Sequence, residues 1–302
     1  MLPDGMVVLE RGWLSSNNVV LRGSGAVAVV DSGYWTHAEQ TVALVTAAAG
    51  DLPVVSLANT HLHSDHCGGN AALQARFPQL KTWIPPGLAP AVRQWDPVAL
   101  SYEPTGQHCP RFTIDGVLKP GSEIELGRWQ WEIHAAPGHD PNSIVLFEPR
   151  TRTLISADAL WENGFGVVFQ ELEGERGFDE VAATLDLIEN LRPSLVIPGH
   201  GPVFGDVAQA LERARSRLDA YVTHPAKHAA HAAKVLIKFK LLELQEVRTA
   251  QFSAWAESTA YFEMVHARWY ADVPRQDWIS RLVSELERSG VVRVAGDRLV
   301  NC

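Results

Sequence analysis

Four metal-binding side chains fall within six consecutive positions of this chain. The stretch from Thr60 to Asn70 reads T-H-L-H-S-D-H-C-G-G-N, and its candidate ligands are His61, His63, Asp65 and His66. An apolar run at 53–58 precedes it, with the length and branching typical of a buried strand. Three histidines and a carboxylate in so short a space rarely occur without a metal ion. The stretch therefore predicts a metal site at the end of a strand.

Backbone geometry divides these four side chains into two pairs. In extended backbone, alternate residues point the same way, so His61 and His63 can share one ion while Leu62 turns into the core. Asp65 and His66 break that alternation and can face a second ion. The pattern predicts a two-metal centre, which requires two or three further ligands from elsewhere in the chain.

Three later strand ends supply side chains that meet this requirement. Apolar runs at 129–135, 152–156 and 194–197 each predict a short strand, and a turn with a glycine or a small residue follows each one. The ligand-type side chains at these turns are His139, Asp158 and His200. Any one of them alone is weak evidence. Their shared position after successive strands favours a common site.

The order of elements predicts two domains. The chain has 302 residues, and its 46% hydrophobic and 20% charged content is typical of a globular protein. Residues 1–205 alternate strands and helices and predict a mixed α/β catalytic domain. Residues 206–302 read as helices followed by a small hairpin, which predicts a helical, winged-helix-like domain. A proline-rich stretch at 80–120 is expected to form loops over the mouth of the site.

Charge and cysteine content restrict the expected location and partners. We expect a cytoplasmic protein without a membrane partner, because we see no secretory signal, no apolar span of about 20 residues and no spaced cysteine framework. The net charge is -9, although residues 224–302 carry 11 Lys and Arg against 9 Asp and Glu. The acidic main body disfavours nucleic acid as a partner. A small-molecule substrate is expected, and a homo-oligomer remains open.

The complete ligand pattern resembles the metallo-β-lactamase superfamily of hydrolases over roughly residues 5–205. The resemblance implies an α/β fold, namely a four-layer αββα sandwich with the metals at one edge between two sheets. It also implies that His61, His63 and His139 hold the first metal, that Asp65, His66 and His200 hold the second, and that Asp158 bridges them. Asp65, His66 and Asp158 would then be the residues closest to catalysis.

Two groups within that superfamily are most similar to this chain. The segment from Trp278 to Val300 resembles the last helix and wing of the lactamase-beta-2-like hydrolases, which carry a C-terminal winged-helix-like domain. The ligand pattern is also similar to glyoxalase II enzymes, which typically have a second histidine four residues after the position of His139. This chain has Ser143 there, so it departs from the glyoxalase II pattern at this position.

The donor chemistry predicts a hydrolytic centre. Imidazoles and carboxylates suit two divalent ions, zinc above all, and iron or manganese are also compatible. A hydroxide that bridges two ions is a nucleophile near neutral pH, so we expect hydrolysis of a small ester, thioester or lactone. Two alternatives remain: an endoribonuclease of the lactamase-beta-2-like type, and a metal-containing regulatory module that binds DNA.

Two further expectations concern residues outside the ligand set. Asp31 is a candidate to orient a ligand histidine by hydrogen bonding. His224, His228 and His231 share one flank of a predicted helix, and without a carboxylate or cysteine among them they are expected to be surface residues.

Overall fold

The computed structural model describes residues 2–302. The first six strands of this part form one mixed sheet. They are β1 Met6–Leu9, β2 Asn18–Arg22, β3 Val27–Val30, β4 Val54–Ala58, β5 Lys81–Ile84 and β6 Gly116–Val117. They pair in chain order: β1 to β3 are antiparallel neighbours, and β3 to β6 are parallel. Parallel neighbours need crossover connections, and these carry the helices of the N-terminal region.

The next strands form a second sheet. They are β7 Glu123–Leu126, β8 Trp129–Ala135, β9 Ile144–Glu148, β10 Thr153–Ala157 and β11 Leu195–Pro198. The order is β11-β10-β9-β8-β7, with β7 to β10 antiparallel and β11 parallel to β10. The carboxyl ends of β10 and β11 therefore lie at the same edge of the sheet.

Helices connect the strands and dominate the C-terminal third of the chain. They are α1 Ala38–Ala49, α2 Ser64–Cys67, α3 Asn70–Arg76, α4 Ala89–Gln94, α5 Phe169–Glu173, α6 Gly177–Leu191, α7 Val207–Thr223, α8 Pro225–Leu244, α9 Thr249–Ser258, α10 Ala260–Trp269 and α11 Arg275–Arg288.

The two sheets pack face to face between two layers of helices. Val19 and Leu21 of β2 join Trp131 of β8 in the core between the sheets, whereas Val20 points to the opposite face, as strand alternation requires. On that outer face, Val20 packs with Val45 of α1. On the outer face of the second sheet, β9, β10 and β11 pack against α6 and α7. The helix, sheet, sheet, helix order confirms the predicted αββα sandwich.

The C-terminal region has a core of its own. α8 to α11 enclose it together with a small sheet of order β12-β14-β13, whose strands are β12 Glu246–Arg248, β13 Val292–Ala295 and β14 Arg298–Asn301. α7 instead packs Leu211 and Leu218 against the second sheet. The helical character of the region agrees with the expectation, while its winged-helix description and the boundary after residue 205 stay predictions.

The proline-rich stretch is more ordered than the sequence suggested. It contains β5, β6 and α4 as well as loops. Pro90 is compatible with α4 because it lies in the first turn of that helix, where a missing N–H is tolerated. Among residues 2–302, no helix has both the length and the apolar character needed to cross a membrane.

Candidate metal centre

The first donor group combines two near neighbours in the chain with one distant residue. His61 Nε2 lies 3.1 Å from His63 Nδ1, and His63 Nδ1 lies 2.8 Å from His139 Nε2. Nitrogen atoms that bind one zinc ion at about 2.0–2.1 Å are roughly 3.4 Å apart in a tetrahedral site. The three ring nitrogens therefore converge closely enough to share one ion.

The second donor group gathers two residues of α2 and two turn residues of the second sheet. α2 begins at Ser64, directly after the extended His63, so Asp65 and His66 leave the strand-like alternation. His200 Nε2 lies 3.1 Å from Asp65 Oδ2, and the ligand atoms of the whole group lie within 4.8 Å of one another. Asp65 and His66, the second pair predicted from the sequence, therefore lie with Asp158 and His200 as expected.

Asp158 lies between the two groups. Its Oδ1 is 3.4 Å from His66 Nε2, and its Oδ2 is 3.4 Å from His139 Nε2. A single carboxylate thus reaches a histidine of each group, which is the position that a bridging ligand needs. The structure brings all seven predicted residues together, and their roles as metal ligands stay predictions.

The edge formed by β10 and β11 leaves room for this carboxylate only because glycine occupies position 199. Asp158 follows β10 directly, and Gly199 and His200 follow β11. A Cβ atom at position 199 would lie 2.2 Å from Asp158 Oδ1 and 2.9 Å from His66 Cε1. A side chain there would displace the Asp158 carboxylate.

Burial keeps the first group neutral. It lowers the pKa of His63 to about 4 and that of His139 to about 4, in spite of the nearby charge of Asp158. It also lowers the pKa of His61 well below its usual range. Neutral imidazoles are the form that binds metal ions, so this group is ready to act as a ligand at neutral pH.

The second group is electrostatically different. Burial alone would lower the pKa of His66, but Asp158 and Asp31 reverse this and raise it well above its usual range. Burial alone would raise the pKa of Asp158, but His66 and His200 hold it well below its usual range. A cation that binds here takes the place of the proton on His66, since ligand histidines must be neutral.

Hydrogen bonds orient the ring nitrogens toward the centre. His66 Nδ1 donates to Asp31 Oδ2 at 2.8 Å, and His139 Nδ1 donates to the carbonyl oxygen of Val167 at 2.6 Å. These contacts leave Nε2 of each ring for a metal. In the described part of the chain, the buried His66 Nε2 has no hydrogen-bond partner. Because such orphaned atoms are uncommon, this one fits a site built for divalent metal ions.

Three neighbouring residues support the centre. Asp31 is buried and also accepts hydrogen bonds from Thr60 N at 2.9 Å and Thr60 Oγ1 at 2.7 Å, so the expected orienting contact to a ligand histidine is present. Trp161 Nε1 donates to Asp158 Oδ1 at 3.2 Å. Sequence reasoning missed Asp140, a buried carboxylate whose Oδ2 is 3.7 Å from His63 Nε2. Its position directly after His139 was the available signal.

A cavity of about 710 Å³ opens onto both donor groups. Trp13 stacks on His200 with ring centroids 5.4 Å apart, and Phe169 lies edge-on to His63 at 5.2 Å. α8 adds apolar side chains to the lining, namely Val235, Leu236, Phe239 and Leu242. The C-terminal region therefore forms part of the cavity wall.

The prediction that the α8 histidines lie at the surface is wrong for His228. This side chain is 1% exposed, and its Nε2 accepts a hydrogen bond from Val168 N at 3.1 Å. Burial lowers its pKa to about 3, so the ring is a neutral acceptor in the core. The residue anchors α8 to the loop before α5, which is a structural role that periodicity alone does not reveal.

Comparisons with known proteins point to one superfamily. The family model of the metallo-beta-lactamase superfamily matches residues 11–200. A hydroxyacylglutathione hydrolase of Thermosynechococcus vestitus is 29% identical over 168 residues, which cover 55% of this chain and 57% of that protein. The beta-lactamase-like protein 2 homolog of Caenorhabditis elegans is 24% identical over 247 residues, which cover 80% of this chain and 74% of that protein.

A solved structure extends the similarity to the whole chain. A metallo-beta-lactamase family protein from Thermus thermophilus aligns over 100% of both chains with a TM-score of 0.60 and 18% sequence identity. At this identity the likeness concerns the fold, including the helical C-terminal region. The chain spans little more than half the length of the T. vestitus relative, at 57%.

Proposed function

The chain belongs to the metallo-β-lactamase superfamily, and we propose that it is a dinuclear, metal-dependent hydrolase of a small ester, thioester or lactone. One observation carries the proposal: two groups of histidine and aspartate donor atoms, with Asp158 between them, face a single cavity. Two ligand groups on an open cavity favour catalysis, since structural zinc sites are closed and hold one ion.

The residues of the centre have distinct parts in this proposal. Bound cations would supply an acidified water molecule and polarise the acyl oxygen of the substrate. Asp158, which lies 3.4 Å from a histidine of each group, would bind both cations, and Trp161 orients its carboxylate through the hydrogen bond to Oδ1. Asp65 and His66 complete the second group, and Asp31 fixes the ring of His66.

The cavity suits a substrate of modest size. Its volume of about 710 Å³ lies within the range of roughly 300–1,000 Å³ that is common for small-molecule sites. The apolar side chains of α8 and Phe169 favour an acyl group or another apolar portion. The similar T. vestitus protein is named for hydrolysis of hydroxyacylglutathione, which supports a thioester. The donor set favours zinc, and iron and manganese stay compatible.

Metal content and one substitution test the proposal. We expect about two metal equivalents per chain in the purified protein. We also expect His63→Ala to abolish turnover of an ester and thioester panel while circular dichroism shows a retained fold. His134→Ala is the matched control, because His134 is partly exposed and paired with Glu132 away from the centre. Undiminished turnover in His63→Ala would refute the mechanism.

RNA cleavage is a second candidate. The similarity to the beta-lactamase-like protein 2 homolog, over 80% of this chain, supports it through the lactamase-beta-2-like resemblance. The net charge of -9 opposes it, because affinity for a polyanion needs clustered basic side chains. Binding of single-stranded RNA that weakens steeply with added salt would favour this candidate, and no binding at low salt would eliminate it.

A further inference from the structure

An arginine of α7 lines the cavity onto which both donor groups open. Arg217 lies on α7 and is half-buried, and it belongs both to the lining of the main cavity and to that of an adjoining open groove. The proposed metal chemistry makes no use of this side chain.

The absence of a partner distinguishes Arg217 from its neighbours on the same helix. Arg215 contacts Asp186 Oδ1 at 2.7 Å and Glu189 Oε2 at 2.8 Å, and Arg213 donates to the carbonyl oxygen of Glu162 at 3.1 Å. Among residues 2–302, Arg217 makes neither an ion pair nor a hydrogen bond. A guanidinium presents five donors in a fixed fork, so its hydrogen-bonding capacity is left for a ligand.

The guanidinium of Arg217 packs against the backbone of a turn that follows Asp158. A Cβ atom at position 164 would lie 2.6 Å from Arg217 Cζ, so the guanidinium rests against Gly164, where any side chain would displace it. The carbonyl oxygen of Gly164 accepts a hydrogen bond from Trp161 N at 2.7 Å. The Trp161 ring in turn reaches Asp158. One short turn thus links Arg217 to the predicted bridging carboxylate.

The groups around Arg217 suit a charged end on a mostly apolar ligand. His231 of α8 lines the same region, and burial followed by the charge of Arg217 lowers its pKa to about 4, so the ring is neutral. Glu212 and Tyr221 line the adjoining groove. Val235 and Leu236, the next lining residues along α8, are apolar. A ligand could therefore place an anion at Arg217 and an apolar portion along α8.

We propose that Arg217 is an anion subsite of the hydrolase, which binds a carboxylate or phosphate group carried by the substrate while the scissile bond lies at the metal centre. The inference rests on the proposed function and narrows it to anionic, amphipathic esters or thioesters. Charge-assisted hydrogen bonds from a guanidinium fork to either anion are shorter and stronger than neutral ones, and they fix orientation.

Matched substrates test the subsite in the metal-loaded enzyme. The neutral ester is 4-nitrophenyl butyrate, and the anionic counterparts are the 4-nitrophenyl half-ester of succinate and the 4-nitrophenyl ester of 3-phosphonopropionate. For Arg217→Ala we expect kcat/KM to fall at least about tenfold for an anionic ester, mainly through KM. For the neutral ester we expect a change within about twofold. The anionic ester that responds more strongly identifies the preferred group.

Two further variants distinguish the fork from the charge and from general damage to α7. Arg217→Lys keeps the charge without the bidentate geometry and should recover only part of the lost kcat/KM. Arg215→Ala removes an arginine of the same helix whose carboxylate partners lie outside the cavity, and it should behave as the wild type. An equal loss on neutral and anionic esters in Arg217→Ala, or no loss on either, would overturn the proposal.

A binding measurement separates this proposal from the proposed function. Calorimetric titration with hexanoate, hexyl phosphate and hexanol does not require hydrolysis. Weaker binding of the two anions in Arg217→Ala, by about tenfold, with hexanol unchanged, supports the subsite even if no ester is hydrolysed. If anion binding depends on Arg217 but no ester is hydrolysed, only the proposed hydrolase function fails. Unchanged binding of both anions overturns the subsite, whatever the enzyme hydrolyses.

Discussion

Asp31→Asn is the most informative single substitution in this protein. Asp31 accepts three buried hydrogen bonds, from Thr60 N, Thr60 Oγ1 and His66 Nδ1, at 2.9, 2.7 and 2.8 Å. Its backbone has φ 57°, a left-handed conformation that asparagine adopts more readily than most side chains. The substitution therefore changes the hydrogen bonding of the site with little backbone strain.

The structure sets the size of the effect. The amide oxygen of asparagine can replace only one carboxylate oxygen, so its NH2 group must face at least one of the three donors. An unsatisfied buried donor costs about 1–3 kcal/mol, which is the expected loss in the free energy of unfolding of the metal-free protein. If the NH2 group faces His66, the ring loses its orientation, and affinity for the second ion should fall about 10- to 100-fold.

Two assays check this expectation. Competition with a chromophoric chelator measures the affinities of the two metal equivalents, and urea unfolding of the metal-free protein measures stability. The first equivalent, at His61, His63 and His139, should keep its affinity. Asp51→Asn, at an exposed position, is the control. Wild-type affinity for both equivalents together with wild-type stability would refute the orienting role of Asp31.

Three other outcomes follow from the same geometry. Gly199→Ala should reduce both metal content and activity, because its Cβ would lie 2.2 Å from Asp158 Oδ1. Gly205→Ala is the control, since its Cβ would come no closer than 3.4 Å to another residue. Equal metal content in the two variants would contradict the close approach at position 199. Removal of metal with a chelator should lower the thermal unfolding midpoint, since an ion present at 100 times its Kd stabilises the folded state by about 2.7 kcal/mol. An unchanged midpoint would count against metal binding in the folded state. An aromatic disulfide reagent should modify Cys302 rapidly in the native protein and the two buried cysteines only after unfolding; fast modification of all three would contradict their burial.

Much of the fold was predictable because apolar periodicity records which face of an element is buried. The strand predicted at 129–135 is β8 Trp129–Ala135, and the strand predicted at 194–197 is β11 Leu195–Pro198. Prediction failed where periodicity is weak or ambiguous. The prolines at 80–120 concealed β5 and α4, and nothing in the spacing of His228 distinguished a core acceptor from a surface residue.

The chemistry of the centre was largely determined by the sequence alone. His61, His63, Asp65 and His66 lie within six positions, so local backbone geometry is sufficient to bring them together. His139, Asp158 and His200 could be proposed because each follows a predicted strand, and strand ends are where sheets present side chains. Donor type then restricts the metals and the class of reaction.

Only the tertiary structure decided how the two donor groups meet and what surrounds them. The placement of Asp158 between His66 and His139 depends on the pairing of β10 with β11 and on the packing of one sheet against the other, which no local pattern records. The same is true of Arg217: arginines are common on helices, and only the packing of α7 against Gly164 and α8 places this one at the cavity. Short-range geometry groups four of the predicted ligands, whereas long-range packing brings the other three to them and forms the cavity.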